Sequence, residues 1–163
     1  MTLPVCLPEN YKIVTVAPTV AANAVVYDNI SCKNAHKVWF LVYHQGTNDT
    51  DLTLSLIEST DVAGSTTTAV TATFPIWKNA NVGSTTADAL TRQTDAASHV
   101  VNTGGSGNPD QLVVIEWDPA KFSAGYDCIK LTDAGGNASN FVTVIGILAP
   151  RFQQADPPTA ITD

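Results

Sequence analysis

A chain of 163 residues matches the common size of one domain and can bury a core large enough to need no staple. With 44% hydrophobic and only 14% charged residues, its polarity comes from uncharged groups, Thr above all, and β-branched Thr suits the wet face of a sheet better than a helix. Eight Lys plus Arg against fifteen Asp plus Glu, a net charge of −7 with no basic cluster, argue against binding nucleic acid through its phosphates.

The chain opens MTLPVCLPEN, with neither the basic region nor the apolar stretch of a signal peptide, and no run approaches the roughly 18 apolar residues of a membrane span. Cytoplasmic synthesis and no membrane partner are expected. Short β-rich runs then recur between clusters of Gly, Pro, Asn, Asp and Thr, the pattern of a sandwich or barrel. We place strands near residues 11–16, 25–32, 37–45, 51–59, 69–77, 98–103, 111–117, 126–132 and 141–148. In the fourth run Leu52, Leu54 and Leu56 alternate with Thr53 and Ser55, so one face is buried and the other meets water or a partner. Val70, Ala72, Phe74 and Ile76 repeat the alternation in the fifth. Runs 38–43 and 112–115 are apolar on both faces, which marks either central strands covered on both sides or strands with one face in a subunit contact. Residues 79–97 hold few large apolar side chains and read as a long crossing loop, which suits Greek-key and jelly-roll connections. Residues 118–122 read as one helical turn, with Asp118 as cap and Pro119 in first position. The expected fold is an all-β, antiparallel two-sheet β-sandwich, jelly-roll-like, over residues 11–148, with an extended arm at 1–10 and a Pro-containing tail at 149–163.

Catalytic chemistry finds little purchase. Only His36, His44 and His99 offer imidazole bases, and none sits in a nucleophile motif; His44 and His99 read as satisfied strand-end residues. Gly105-Ser106-Gly107 lacks the strand-to-helix context of a nucleophile elbow. Glu9, Glu58 and Glu116 are the only glutamates, and Glu116 reads as a solvated or hydrogen-bonded edge residue. The Asn48, Asp49, Asp51 and Asp133, Asn137 groups lack the spacing of a calcium loop and read as Asx turns, and the sequons at Asn29, Asn48 and Asn137 read as ordinary turn and edge residues. Cys6, Cys32 and Cys128 are odd in number, with no CxxC pair, and read as buried free thiols. Trp39, Trp77 and Trp117 lie in apolar runs and suit core or interface packing better than a sugar platform. No cofactor, no metal and no catalytic residue are expected.

Five segments of the second half carry a resemblance: TDAASHVVNT at 94–103, QLVVIEWDPA at 111–120, YDCI at 126–129, APRF at 149–152 and PPTAI at 157–161. In these the chain resembles small virion proteins of tailed bacteriophages, the capsid decoration or cement proteins. The resemblance implies a jelly-roll-like sandwich on the outer capsid surface that ties neighbouring subunits together, with the major capsid protein as partner and homo-oligomers on the shell. It implies no catalytic residues.

The two arms are the expected grips. Leu3, Val5 and Leu7 alternate along the first arm, where Pro4 and Pro8 favour an extended path on a surface. Phe152 and Ile161 anchor the tail, with Pro157 and Pro158 stiffening the chain between them. Removing residues 1–10 and 153–163 is expected to weaken particle binding and leave melting unchanged, and binding is expected to need neither metal nor disulfide. A phage tail or fibre component is the alternative, followed by a carbohydrate-binding or enzymatic module.

Overall fold

The computed structural model describes residues 7–84, 89–101, 110–152 and 160–161. One helical turn, α1 (Leu7–Asn10), precedes eleven strands: β1 (Lys12–Ala21), β2 (Ile30–Ser31), β3 (Ala35–Gln45), β4 (Leu52–Ser59), β5 (Thr67–Ala69), β6 (Ile76–Asn79), β7 (Thr91–Arg92), β8 (Ser98–Val101), β9 (Gln111–Trp117), β10 (Cys128–Gly135) and β11 (Phe141–Pro150). A 3-10 turn at Pro119–Lys121 follows β9, and the Asp118 side chain caps it by accepting from Ala120 N, as the sequence indicated.

Two antiparallel sheets form, one of six strands in the order β1-β11-β3-β9-β6-β7 and one of five in which β2-β10-β4 is followed by β5. The strand β10 runs along the whole of β4, while β8 pairs with residues Leu52 to Ser55 and β5 with Ile57 to Ser59. Leaving aside β5, β6 and β7, the remaining strands fall into the orders β1-β11-β3-β9 and β2-β10-β4-β8. The chain thus crosses between sheets at nearly every step, the connectivity of an eight-stranded jelly roll.

The core lies between the sheets. From the six-stranded sheet come Val38, Phe40, Val42, Val113, Ile115, Trp117, Val142 and Val144; the five-stranded sheet answers with Ile30, Leu52, Leu54, Leu56, Ile129 and Leu131. Each of these strands alternates buried with less buried residues, the two-residue period of a strand with one face inward. On β11 the inward row contains Gly146, where an added Cβ would lie 2.8 Å from Ile30 Cδ1 and 3.0 Å from Val14 and Val16 methyls. The sheets close over this position because it lacks a side chain.

Four expectations give way, the first being the strand at 25–32, which forms only over Ile30–Ser31. The alternation at 69–77 does not form one strand: β5 belongs to the five-stranded sheet and β6 to the other, and the chain crosses the sandwich between them with Val70 and Phe74 buried on the way. Period-two burial therefore marks a crossing here, because a chain passing through a core also buries alternate residues. The loop expected at 79–97 holds the short strand β7, paired to β6 at the sheet edge. The arm expected to stay extended through residue 10 ends in α1, closed by Tyr11 N donating to Leu7 O at 3.0 Å. Pro8 fits there, since the first helical turn needs no N–H from it.

The tail divides as well. The strand β11 continues to Pro150, two residues past its expected end, and the chain returns at Ala160 to cap the outer edge of β2, where Ser31 N donates to Ala160 O at 2.7 Å. Ala160 is buried and Ile161 packs on the core of its own chain. Cys32 and Cys128 are buried free thiols; Ser31, not Cys32, is the register partner of Cys128, so the two side chains leave their strands toward opposite faces. Cys6 lies outside the described residues.

Candidate functional site

The two outer faces of the sandwich differ in chemistry. On the five-stranded sheet the outward register rows read Thr132, Ser55, Ser98, then Ala134, Thr53, Val100, and then Lys130, Ile57, Ala69, a mixed surface of hydroxyls, a cation and scattered apolar side chains. On the six-stranded sheet one outward row reads Ile13, Ile147, Trp39, Glu116, and the next reads Thr15, Ile145, Leu41, Val114, Trp77, Arg92. A third row carries Thr143, Tyr43 and Leu112. Five neighbouring strands thus turn aliphatic and aromatic side chains away from the core. Among the described residues no third layer covers them: α1 touches β1 and the 3-10 turn touches β3. Ile13, Tyr43, Phe141 and Ile145 are 41, 37, 39 and 38% exposed.

Several charged and aromatic groups of this face have partners within it. Lys37 Nζ donates to Glu116 Oε1 at 3.1 Å and to Asp118 Oδ2 at 3.0 Å, and Trp39 Nε1 donates to Glu116 Oε2 at 2.9 Å. Glu116 is thus a hydrogen-bonded residue, one of the two readings its sequence position allowed. The Asp118 carboxyl lies below its usual range, held there first by the Ala120 amide and then by Lys37. Tyr43 Oη donates to Asp110 Oδ2 at 2.6 Å, which pushes the phenol up. Arg92 lies over the Trp77 ring at 4.8 Å and pairs with Asp95, while Tyr11 meets Trp39 edge-on at 6.2 Å. Both outward tryptophan rings therefore carry a neighbour. Trp117 is wholly buried, edge-to-face with Phe122 at 5.6 Å.

Other residues with chemical potential serve the fold. Glu58 is buried and accepts from Ser123 N and Oγ at 2.7 and 2.9 Å. Asn137 forms the expected Asx turn, its Oδ1 accepting from Ser139 N at 2.9 Å, whereas Asn48 Oδ1 accepts from the Thr50 hydroxyl at 2.8 Å. Asn29 Oδ1 accepts from Ser59 Oγ at 3.0 Å. Among the described residues no group of three or more His, Cys, Asp or Glu converges as a metal site would require. His36 is exposed. His44 differs from a satisfied strand-end residue: it points into the sandwich, is wholly buried, and neither ring nitrogen has a hydrogen-bond partner. Burial holds its imidazole below the ordinary range. His99 Nε2 is likewise unpartnered.

Of the expected grip residues, Leu7 and Phe152 are exposed at 47 and 71%, and Ile161 is turned onto its own core. Leu3 and Val5 lie outside the described residues, as does Gly105-Ser106-Gly107. The doubly apolar runs prove to be the adjacent central strands β3 and β9, buried on one face and uncovered on the other. Sequence reasoning missed the share of β11 in this face. The same signal was present there, since residues 141–148 are apolar at nearly every position.

Comparison with family models, curated proteins and solved structures yields no match to this chain. Among the described residues no helix is long and apolar enough to cross a membrane.

Proposed function

We propose that the protein is a structural, non-enzymatic component of a tailed-phage particle, a decoration protein that sits on the outer capsid surface and bridges neighbouring capsid subunits. The observation supporting this reading is the unequal pair of outer faces: one sheet mixes hydroxyls with Lys130 and scattered apolar side chains, and the other leaves a broad apolar surface that water disfavours. A surface of that kind is suited to being covered in an assembly. Glu58, Glu116 and Asn140, polar groups that could serve chemistry elsewhere, are bound up in holding turns and strands. The resemblance read in the second half of the sequence supports a phage capsid as that assembly. In this reading Leu3, Val5, Leu7 and Phe152 grip the major capsid protein, and Ile161 anchors the tail to its own domain. The chain folds in the host cytoplasm before joining the shell.

The test is addition of the purified chain to particles lacking it, followed by sedimentation and imaging. Co-sedimentation with added density on the capsid exterior is the expected result. Density confined to the tail would make the protein a tail component, and a chain left in the supernatant would remove it from the particle altogether.

A further inference from the structure

We propose that the outer face of the six-stranded sheet is the contact surface of a symmetric homodimer. Its occupant is then a second copy of this chain. The inference concerns the free protein and goes beyond the reading of it as a capsid component.

Three observations favour a second copy. The first is area. Ile13, Tyr43, Phe141 and Ile145, each close to two-fifths exposed, join the half-buried Leu41 and Val114 between them. Together with their neighbours on the rows they leave on the order of 500 Å² of apolar surface, comparable to the largest patch on a typical monomer. Two such faces laid together bury on the order of 1,000 Å², the lower bound of a specific interface, before any rim is counted.

The second observation is charge. Each copy carries −7, so a contact between copies must keep unpaired charge out of its centre. This face does so. Glu116 is held by Lys37 and Trp39, and Arg92 by Asp95 and the Trp77 ring, around an aliphatic centre at Leu41, Val114 and Ile145, while the Asp110 carboxylate, bonded to the Tyr43 hydroxyl, precedes β9 and lies off that centre. A basic partner would be drawn to the acidic surface elsewhere, since the centre of this face offers it no charge.

The third is shape. The outer face of a twisted sheet stacks on an identical face with strands nearly aligned and the sheets about 10 Å apart. A two-fold axis through such a stack brings each row against its own copy, so one patch serves both partners. Trp39 and Trp77, outward and half-buried, would be covered in the stack, whereas Trp117 is covered already.

The experiment is sedimentation equilibrium of the full chain across a concentration series reaching about 100 μM, in the absence of particles. A mass twice the 17.2 kDa of one chain is expected, with a red shift of tryptophan fluorescence on dilution. Doubly substituted Ile13→Lys/Ile145→Lys should sediment as a monomer with an unchanged circular-dichroism spectrum. Thr53→Lys, on the opposite sheet, should remain a dimer. If the double variant fails to fold, Thr15→Arg decides, because Thr15 is exposed on the same row as Ile145 and already polar. A monomeric wild-type chain, or a dimer that persists in the folded face variants, overturns the proposal. Because no particle is present, this outcome is independent of capsid binding: a dimer that ignores particles defeats only the decoration reading, and a monomer that decorates them defeats only the dimer.

Discussion

His44 shows how one residue can set the acid limit of the fold. Its imidazole is wholly buried and unpartnered, and burial lowers its affinity for protons from an ordinary pKa of 6.5, with Asp110 opposing in part. His99 is shifted the same way, by burial and then by Lys78. In the unfolded chain both histidines protonate as pH falls through about 6.5, while the folded chain resists, so acid favours unfolding. Urea midpoints should therefore drop between about pH 7.5 and about pH 5.5, and His44→Leu should flatten that dependence at little cost near neutrality, since it removes an unsatisfied buried group. An unchanged pH profile in the variant would relieve His44 of this role. Gly146 is the residue-scale counterpart in packing. Gly146→Ala puts a methyl within 2.8 Å of Ile30 Cδ1, in a core with no slack, and should cost about 1–3 kcal/mol by chemical denaturation.

At the scale of elements, Asn140 holds the turn between β3 and β4 to the start of β11. Its side chain is wholly buried; Oδ1 accepts from Thr47 N at 2.9 Å and Asn48 N at 2.7 Å, while Nδ2 donates to Asn48 O at 3.1 Å. Asn140→Ala leaves those buried groups unpaired and should cost about 1–3 kcal/mol, with faster amide exchange at Thr47 and Asn48 than elsewhere in the sheet. Uniform exchange across the molecule would assign the loss to the whole fold instead. Next to this turn, Gly136 adopts φ +82 and places its backbone against Ala22, where a Cβ would lie 2.5 Å from the Ala22 carbonyl oxygen. The return from β10 to β11 thus depends on a missing side chain as well as on turn propensity.

At the scale of the whole molecule, the C-terminal residues belong to the fold. Removing residues 153–163 withdraws Ala160 and Ile161 from the core and the acceptor of Ser31 N from the edge of β2. The truncated protein should lose about 2 kcal/mol, which for a chain of this size lowers the melting temperature by roughly 4–8 °C. Unchanged melting would return the tail to the status of a free arm. The outer face of the six-stranded sheet works at this scale as well, because no single strand displays it. Its chemistry appears only when β1, β11, β3, β9 and β6 lie side by side.

The sequence by itself determined the class of fold and most of its strands. Alternation at Leu52, Leu54 and Leu56, the Gly and Asn breakers and the Asp118-Pro119 turn are local features whose physics acts within a few residues. The doubly apolar runs were legible as central strands covered on both sides or as strands with one face in a contact; they are central strands, with one face buried and the other uncovered among the described residues. Which sheet each strand joins, the crossing between β5 and β6, the burial of His44 without a partner and the return of Ala160 to β2 were decided by tertiary structure alone. Each depends on contacts between residues far apart in the chain. A two-residue period records that alternate side chains are buried, but it carries no information about which distant strand does the burying.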